Sequence, residues 1–463
     1  MLKKLFTQEK NFGEGSLAGI IMGQAIPLTI AQLVQLAYNL VDRIYIGHLG
    51  TGSSLALTGI GLTFPLMTLI IAFTALFGFG GTPGFAMARG AGNFKRAERI
   101  MGNSFMLLVI SSVVLAAFFM LFCRPILYLF GAGDDSYVYA AQYLRIYLIG
   151  TPFVMLSAGL NGYINAQGHP LTGMVTVIIG AVINILLDPI LIFGFGMGIR
   201  GAAIASVISQ FMAALWAVAF LTGKRANLKL KPVNFRPDIR IIGNILKNGL
   251  SFFVMQGTNC VVQAVCNATL QLYGGDLYVC IMTVVNSVRE VMMLPVTGLF
   301  NGSQPVIGFN YGAGKYDRVT AAIRFTTVAG FFYTLIIWLF VILFPALWFY
   351  IFSDNAETVL AGIPMLKLYF FGFIFMAFQY AGQTVFQALG DARHGVFFSL
   401  FRKIIMVVPL TLLLPGIHGL GVTGVFLAEP ISNVIGGLAC FITMLFTVYR
   451  KLKRKAELNT AQE

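Results

Sequence analysis

Charge is what this sequence has least of. Only 10% of its 463 residues are Asp, Glu, Lys or Arg, against about a quarter in an ordinary soluble domain. Hydrophobic residues make up 58%, and the mean hydropathy is +0.83. Such a chain cannot cover itself with polar surface in water, which excludes a soluble globule and makes lipid its solvent. Histidine is rarer still. His48, His169, His394 and His418 fall near the ends of apolar runs, without the spacing of metal ligands. Cys123, Cys260, Cys266, Cys280 and Cys440 lie in or beside apolar runs with no CxxC pair, so they read as small buried residues and not as disulfides or a metal site. The strict polar and apolar alternation of a membrane barrel is also missing.

What the chain has instead is apolar length, repeated. Reading runs between breakers gives spans near 16–46, 55–84, 98–123, 138–163, 171–195, 201–222, 243–272, 278–306, 319–345, 360–387, 396–415 and 421–449, each long enough to cross a hydrocarbon core of about 30 Å as a helix. Gly90-Ala91-Gly92, with Phe94 and Arg96 after it, returns at an offset of 222 as Gly312-Ala313-Gly314, with Tyr316 and Arg318. The same shift carries Pro83 onto Pro305, Tyr147 onto Tyr369 and Gly168 onto Gly390. The unit is therefore duplicated, with six spans per copy. An even number returns the chain to its starting side, so the repeats are parallel. The expected fold is an all-α integral membrane protein of twelve helices, in two six-helix lobes around a central cleft. The expected divisions are 1–222 for the N-terminal lobe, 223–242 for a linker, 243–449 for the C-terminal lobe and 450–463 for a basic tail.

Positive charge supplies the orientation. Of the 31 Lys and Arg, 25 gather on one side of this twelve-span plan: at Lys3, Lys4 and Lys10, near Arg89 to Arg99, along Lys224 to Lys247, near Lys315 to Arg324, at Arg393, Arg402 and Lys403, and from Arg450 to Lys455. By the positive-inside rule both termini are cytoplasmic. The net charge of +14 then reflects topology and anionic lipid, and no nucleic-acid partner is expected. Gly312-Ala-Gly-Lys315 fails as a phosphate loop, because Phe309 stands where a Gly is needed and Tyr316 where Ser or Thr is needed.

Without a nucleotide site, uphill transport requires an ion gradient, and oxygen-bearing groups at membrane depth become the candidates. Gln32, Gln35, Asn39 and Asp42 keep one helical face of span 1. Asn184 and Asp188 in span 5 are one turn apart and present oxygens together, as Na⁺ or a shuttling proton requires. The neighbouring Arg43 could neutralise Asp42, and Asp188 could be a helix-end carboxylate. Under the repeat the stripe is shared, since Gln32 meets Gln256 and Asn39 meets Gln263 at an offset of 224. The acids are not shared: Asp42 meets Cys266, and at 222 Asp188 meets Leu410. Coupling-ion binding is thus expected in the N-terminal half. A second pair of stripes, Ser157, Asn161 and Asn165 in span 4 and Gln379, Gln383 and Gln387 in span 10, either lines a hydrated cleft or glues helices together. Glu290 in span 8 either faces the cleft or is neutralised by Arg289. Glu429 is a weaker candidate near the end of span 12.

Pro27 within span 1, the stretch Asn39-Leu-Val-Asp42-Arg-Ile-Tyr-Ile-Gly47, and Asn301-Gly-Ser-Gln-Pro305-Val-Ile-Gly-Phe-Asn310-Tyr-Gly-Ala-Gly314 resemble the multidrug and toxic compound extrusion (MATE) family over essentially the whole chain. The resemblance implies two lobes that rock between outward-open and inward-open states and exchange H⁺ or Na⁺ for amphipathic, often cationic drugs. It implies a cation site at Asp42, Asn184 and Asp188, completed by a helix-6 hydroxyl matched here to Ser206. It implies no cofactor beyond the ion and no enzymatic activity. Relatives that use acids in helices 7 and 10 are not matched, since Gln256, Gln263, Gln379 and Gln383 stand there. The expected substrates are small drug-like compounds and the expected active form is a monomer. The alternative is a flippase for a lipid-linked precursor, from the same superfamily, which would need a more basic cleft.

Overall fold

The computed structural model describes residues 11–47, 53–352, 356–417 and 419–460; Lys3, Lys4, Lys10, His48 and His418 lie outside them. Among the described residues ten helices are each long and apolar enough to cross a bilayer. One of these, Ile239–Gly312, runs for 74 residues, about 110 Å at 1.5 Å per residue, far more than one crossing needs. Gly275 divides it, adopting φ 65°, a left-handed corner that glycine reaches without a Cβ clash. A further span combines Asp134–Ile149 with Thr151–Ala166, bent by 55° around Gly150. The expected twelve spans result. They are α1 (Leu17–Gly47), α2 (Thr58–Gly90), α3 (Phe94–Leu121), α4 (Asp134–Ile149 with Thr151–Ala166), α5 (Pro170–Gly194), α6 (Ile199–Thr222), α7 and α8 (the two parts of Ile239–Gly312), α9 (Tyr316–Leu343), α10 (Ala356–Ala388), α11 (Ala392–Gly416) and α12 (Val422–Leu458). Among the described residues every regular element is helical, since in lipid a helix satisfies its own backbone groups.

The duplication is visible in the backbone. The short helices Cys123–Leu129 and Pro345–Phe352 begin at the same offset of 222. Gly92 and Gly314, related by that offset too, share φ 72°. Gly168 and Gly390 keep it, but Gly198 and Gly421 are separated by 223. The added residue is absorbed within α11, where Phe401–Val407 forms a π-turn and the matching stretch of α5 is α-helical. Downstream of that turn Asp188 corresponds to Thr411 and not to Leu410, which corrects the alignment read from the sequence.

Two compact units emerge. One is built on Ile30–Phe253 and the other on Phe12–Thr29 with Val254–Glu463. The helix α1 runs through Pro27 without interruption, yet its membership changes at Ile30, just past the missing Pro27 N–H. The equivalent change in α7 comes at Val254, the position that the offset of 224 assigns to Ile30. The first unit centres on residues such as Phe85, Leu108, Leu144 and Tyr163, and the second on Val285, Phe300, Phe370 and Phe386. Large apolar side chains such as Val114, Leu121, Ile336 and Leu339 point outward, as suits helices facing lipid tails.

Close backbone approaches hold the leading parts of α1 and α7. A Cβ at Gly249 would run into the Leu76 carbonyl oxygen of α2. A Cβ at Gly302 of α8 would lie 2.8 Å from Ala25 N of α1. Gly249→Ala is therefore expected to lower stability by about 1–3 kcal/mol, the usual result of overpacking. Thermal unfolding of the purified protein in detergent checks this; an unchanged midpoint would refute the close approach.

The segment between α6 and α7 is pinned to the first unit. Glu98 of α3 accepts hydrogen bonds from Lys229 N at 3.2 Å, Lys231 Nζ at 2.8 Å and Asn234 Nδ2 at 3.4 Å. Asn103 accepts from Asp238 N at 2.9 Å, Gln167 accepts from Leu228 N at 3.1 Å, and Phe105 stacks on Phe235. Glu98→Gln removes the charge from three of these bonds. Trypsin is expected to cut after Lys229 about fivefold faster in that variant, the result of roughly 1 kcal/mol of local loosening; equal rates would show that the clamp is inert.

Candidate functional site

In the first unit, α1, α4, α5 and α6 bring oxygen atoms together. The carboxyls of Asp42 on α1 and Asp188 on α5 lie within hydrogen-bonding reach of each other. Asn184, one turn before Asp188, donates Nδ2 to Asp188 Oδ1 at 3.4 Å. Asp188 is 0% and Asn184 1% exposed, so water does not screen them. Asp42 Oδ1, Asp188 Oδ2 and Asn184 Oδ1 are buried and receive no hydrogen bond. Two acceptors in contact repel unless a proton or a cation lies between them. Arg43 acts on Asp42 only through its field: its guanidinium sits 4.9 Å from the centre of the Phe64 ring, and among the described residues it makes no ion pair with Asp42.

Around the acids stands an aromatic wall that sequence reasoning missed. Ser206 stands beside Tyr143, and Tyr143 and Tyr38 both lie in the field of Asp42. Tyr38 Oη accepts from Gln35 Nε2 at 2.9 Å, and Tyr143 stacks on Tyr147. The signal was available, since Tyr38 lies one turn before Asp42. Asn39, also on α1, is exposed.

The stripes of α4 and α10 make matching bonds inside their own units. Asn161 Nδ2 donates to Gly173 O of α5 at 3.1 Å; its repeat counterpart, Gln383, donates Nε2 to Gly395 O of α11 at 3.0 Å. Ser157 donates to Gln210 Oε1 of α6 at 2.9 Å. Gln379 is buried with its Oε1 unsatisfied. Of the remaining cleft candidates, Gln256 is half-buried, whereas Gln263 and Glu290 are exposed.

The counterpart of the acid site in the second unit has the opposite polarity. Glu429 corresponds to Ser206 at 223, and it accepts from Lys403 Nζ at 2.7 Å and Arg402 Nη1 at 3.2 Å. Arg402 and Lys403, grouped in the sequence with loop charges, are inside α11 because the helix begins at Ala392 and runs to Gly416. Where the first unit joins Asp42 to Asp188, this one sets Cys266 Sγ 3.7 Å from Thr411 Oγ1. Arg89 is another supposed loop charge that is buried, donating to Ala166 O at 2.9 Å. Among the described residues no cluster of His, Cys, Asp and Glu is arranged to hold a metal.

A family described as MatE matches this chain twice, over residues 27–190 and 252–413. The chain belongs to the MatE family. The two matches are the two halves of the duplication. MatE relatives include the multidrug export protein MepA of Staphylococcus haemolyticus, 26% identical over 440 residues that span 95% of this chain and 94% of that one. MepA of Staphylococcus saprophyticus is 26% identical, covering 96% and 98%. A solved MATE structure in complex with MaL6 superposes with a TM-score of 0.89 at 25% identity, covering 96% and 98%. This MatE chain is thus a multi-span membrane protein of a transporter family, and the resemblance read from Asn39 to Gly47 and from Asn301 to Gly314 extends over both halves.

Proposed function

We propose that this MatE protein is a secondary active multidrug efflux transporter of the cell membrane. It exports amphipathic or cationic organic compounds in exchange for H⁺ or Na⁺ by alternating access, as a monomer with both termini cytoplasmic. Its two six-helix halves, 1–222 and 243–449, are the bodies that move, except that Phe12–Thr29 goes with the second and the start of α7, up to Phe253, with the first. The observation that carries this reading is the contact of Asp42 with Asp188 beside Asn184, three oxygen-bearing groups with unspent acceptors and, among the described residues, no ion pair to a basic side chain. Multidrug export by the MepA relatives supports the substrate class.

An inward-moving cation binds Asp42 and Asp188, relieves their repulsion and draws α1 toward α5. Ion and drug must favour opposite states, because a ligand indifferent between two states shifts neither. Since α1 changes unit at Ile30, a pull on Asp42 acts on the same helix whose first part belongs to the second unit. Ser206 and Tyr143 orient the site, and Pro27 supplies the weak point in the helix.

The test is efflux of a fluorescent organic cation from cells expressing the wild type, with Na⁺ and pH gradients imposed separately. Export driven by one gradient names the ion. No export by folded protein under either gradient would shift the assignment to the lipid flippase, for which the group of Arg289, Arg402 and Lys403 within the helices of the second unit is the favouring observation.

A further inference from the structure

The second unit buries more positive charge than negative. Arg289 of α8 and Arg402 and Lys403 of α11 converge on one carboxylate, Glu429 of α12. All three reach for the same atom, Oε1, at 3.7, 3.2 and 2.7 Å. Lys403 and Glu429 are each 5% exposed and offset one another, so the excess falls on the partly accessible Arg402 and Arg289, where an incompletely paired charge is costly. An sp² oxygen has two lone pairs. Lys403 and Arg402 take them, and Arg402 also donates to Asn433 Oδ1 at 2.7 Å.

Arg289 is left over. A separation of 3.7 Å is too long for a hydrogen bond, and its Nε is buried without a partner. Yet its side chain is 29% accessible, more open than that of Arg402 at 12% or Lys403 at 6%. A guanidinium in that state offers a planar fork of donors, which matches carboxylate and phosphate oxygens two at a time. The acidic neighbour Glu290 is exposed, so its charge is solvated. The positions that hold acids in the first unit hold Cys266 and Thr411 here, so no buried carboxylate repels an incoming anion from that side.

We propose that Arg289, backed by Arg402 and Lys403, forms an oxyanion-binding site in the second unit, which takes a carboxylate or phosphate group. The pseudosymmetric places of the two halves thereby bind ligands of opposite charge. The group comes either from a small organic solute or from an anionic lipid headgroup, and the chemistry of recognition is the same. The proposal does not depend on export, because binding is read without transport.

The experiment is thermal unfolding of the purified full-length protein with sodium benzoate, with its uncharged analogue benzamide, and with sodium chloride at matched ionic strength. A second arm compares nanodiscs of phosphatidylcholine with and without phosphatidylglycerol. Benzoate is expected to raise the midpoint where benzamide and chloride do not. Arg289→Gln is expected to weaken the response at least tenfold in benzoate concentration, and Arg289→Lys to retain part of it. A rise seen only with phosphatidylglycerol, and lost in Arg289→Gln, supports the site and assigns the group to lipid. Equal responses to benzoate and benzamide with no effect of phosphatidylglycerol, or an undiminished response in Arg289→Gln, would overturn the proposal.

Discussion

Replacing Asp42 or Asp188 with Asn is expected to abolish gradient-driven export while leaving the protein folded in the membrane. The substitution keeps the shape of the side chain and removes its charge. It also turns an acceptor facing an acceptor into a donor facing an acceptor, so the contact between α1 and α5 gains a hydrogen bond, worth about 0.5–1.5 kcal/mol. The variants should therefore unfold no earlier than the wild type. What disappears is the difference in ion affinity between the two transport states. Losing a coupling of about 1–3 kcal/mol lowers driven export roughly 5- to 150-fold. Dye efflux under the effective gradient, normalised to protein in the membrane, provides the measurement. Normal export by either variant defeats the assignment of the coupling site, and the double variant should be no worse than the singles because the two carboxyls act as one site.

Glu429→Gln is expected to do the reverse. Glu429 is the shared counter-charge for Arg289, Arg402 and Lys403. Neutralising it leaves buried cations facing one another, and breaking a buried pair of this kind costs about 3–5 kcal/mol. Adding Lys403→Met should recover part of the loss, because one of the stranded charges is then gone. Thermal unfolding in detergent reads both effects, and a Glu429→Gln midpoint equal to that of the wild type would show that the cluster carries no net stabilisation. The acid site of the first half and the Glu429 cluster of the second thus answer the same loss of charge with opposite signs.

Much of this was legible from spacing. The recurrence of Gly90-Ala-Gly as Gly312-Ala-Gly showed the duplication, and the runs between breakers showed twelve crossings. Asp42, Asn184 and Asp188 were named from helical faces and from the family resemblance before the structure brought them together. The fate of Arg402 and Lys403 was not legible, because two adjacent basic residues soon after Arg393 look like a continuation of loop charge. Only their common reach toward Glu429, on the following helix, reveals them as buried. The π-turn at Phe401–Val407 was equally hidden, since an inserted residue that leaves both flanking helices apolar changes no pattern. The amide stripes mark polar faces, but a face does not say which neighbour it meets; the carbonyls of Gly173 and Gly395, which accept from Asn161 and Gln383, decide that.

The split allegiance of α1 and α7 has a consequence for synthesis. Residues 12–29 are made well before their partners in the second unit: Asn310 donates to the Phe12 carbonyl, and Lys315 and Arg318 hold Gly13 and Gly15. Those partners are made only after the rest of the first unit has emerged. The helix α1 must therefore wait, half packed, until α8 and the start of α9 arrive, and the first unit stays incomplete until residues 239–253 have followed. Folding of this chain is governed by its most distant contacts, so nascent chains stopped before α9 should be left with an unmatched apolar surface and become preferred targets for quality control.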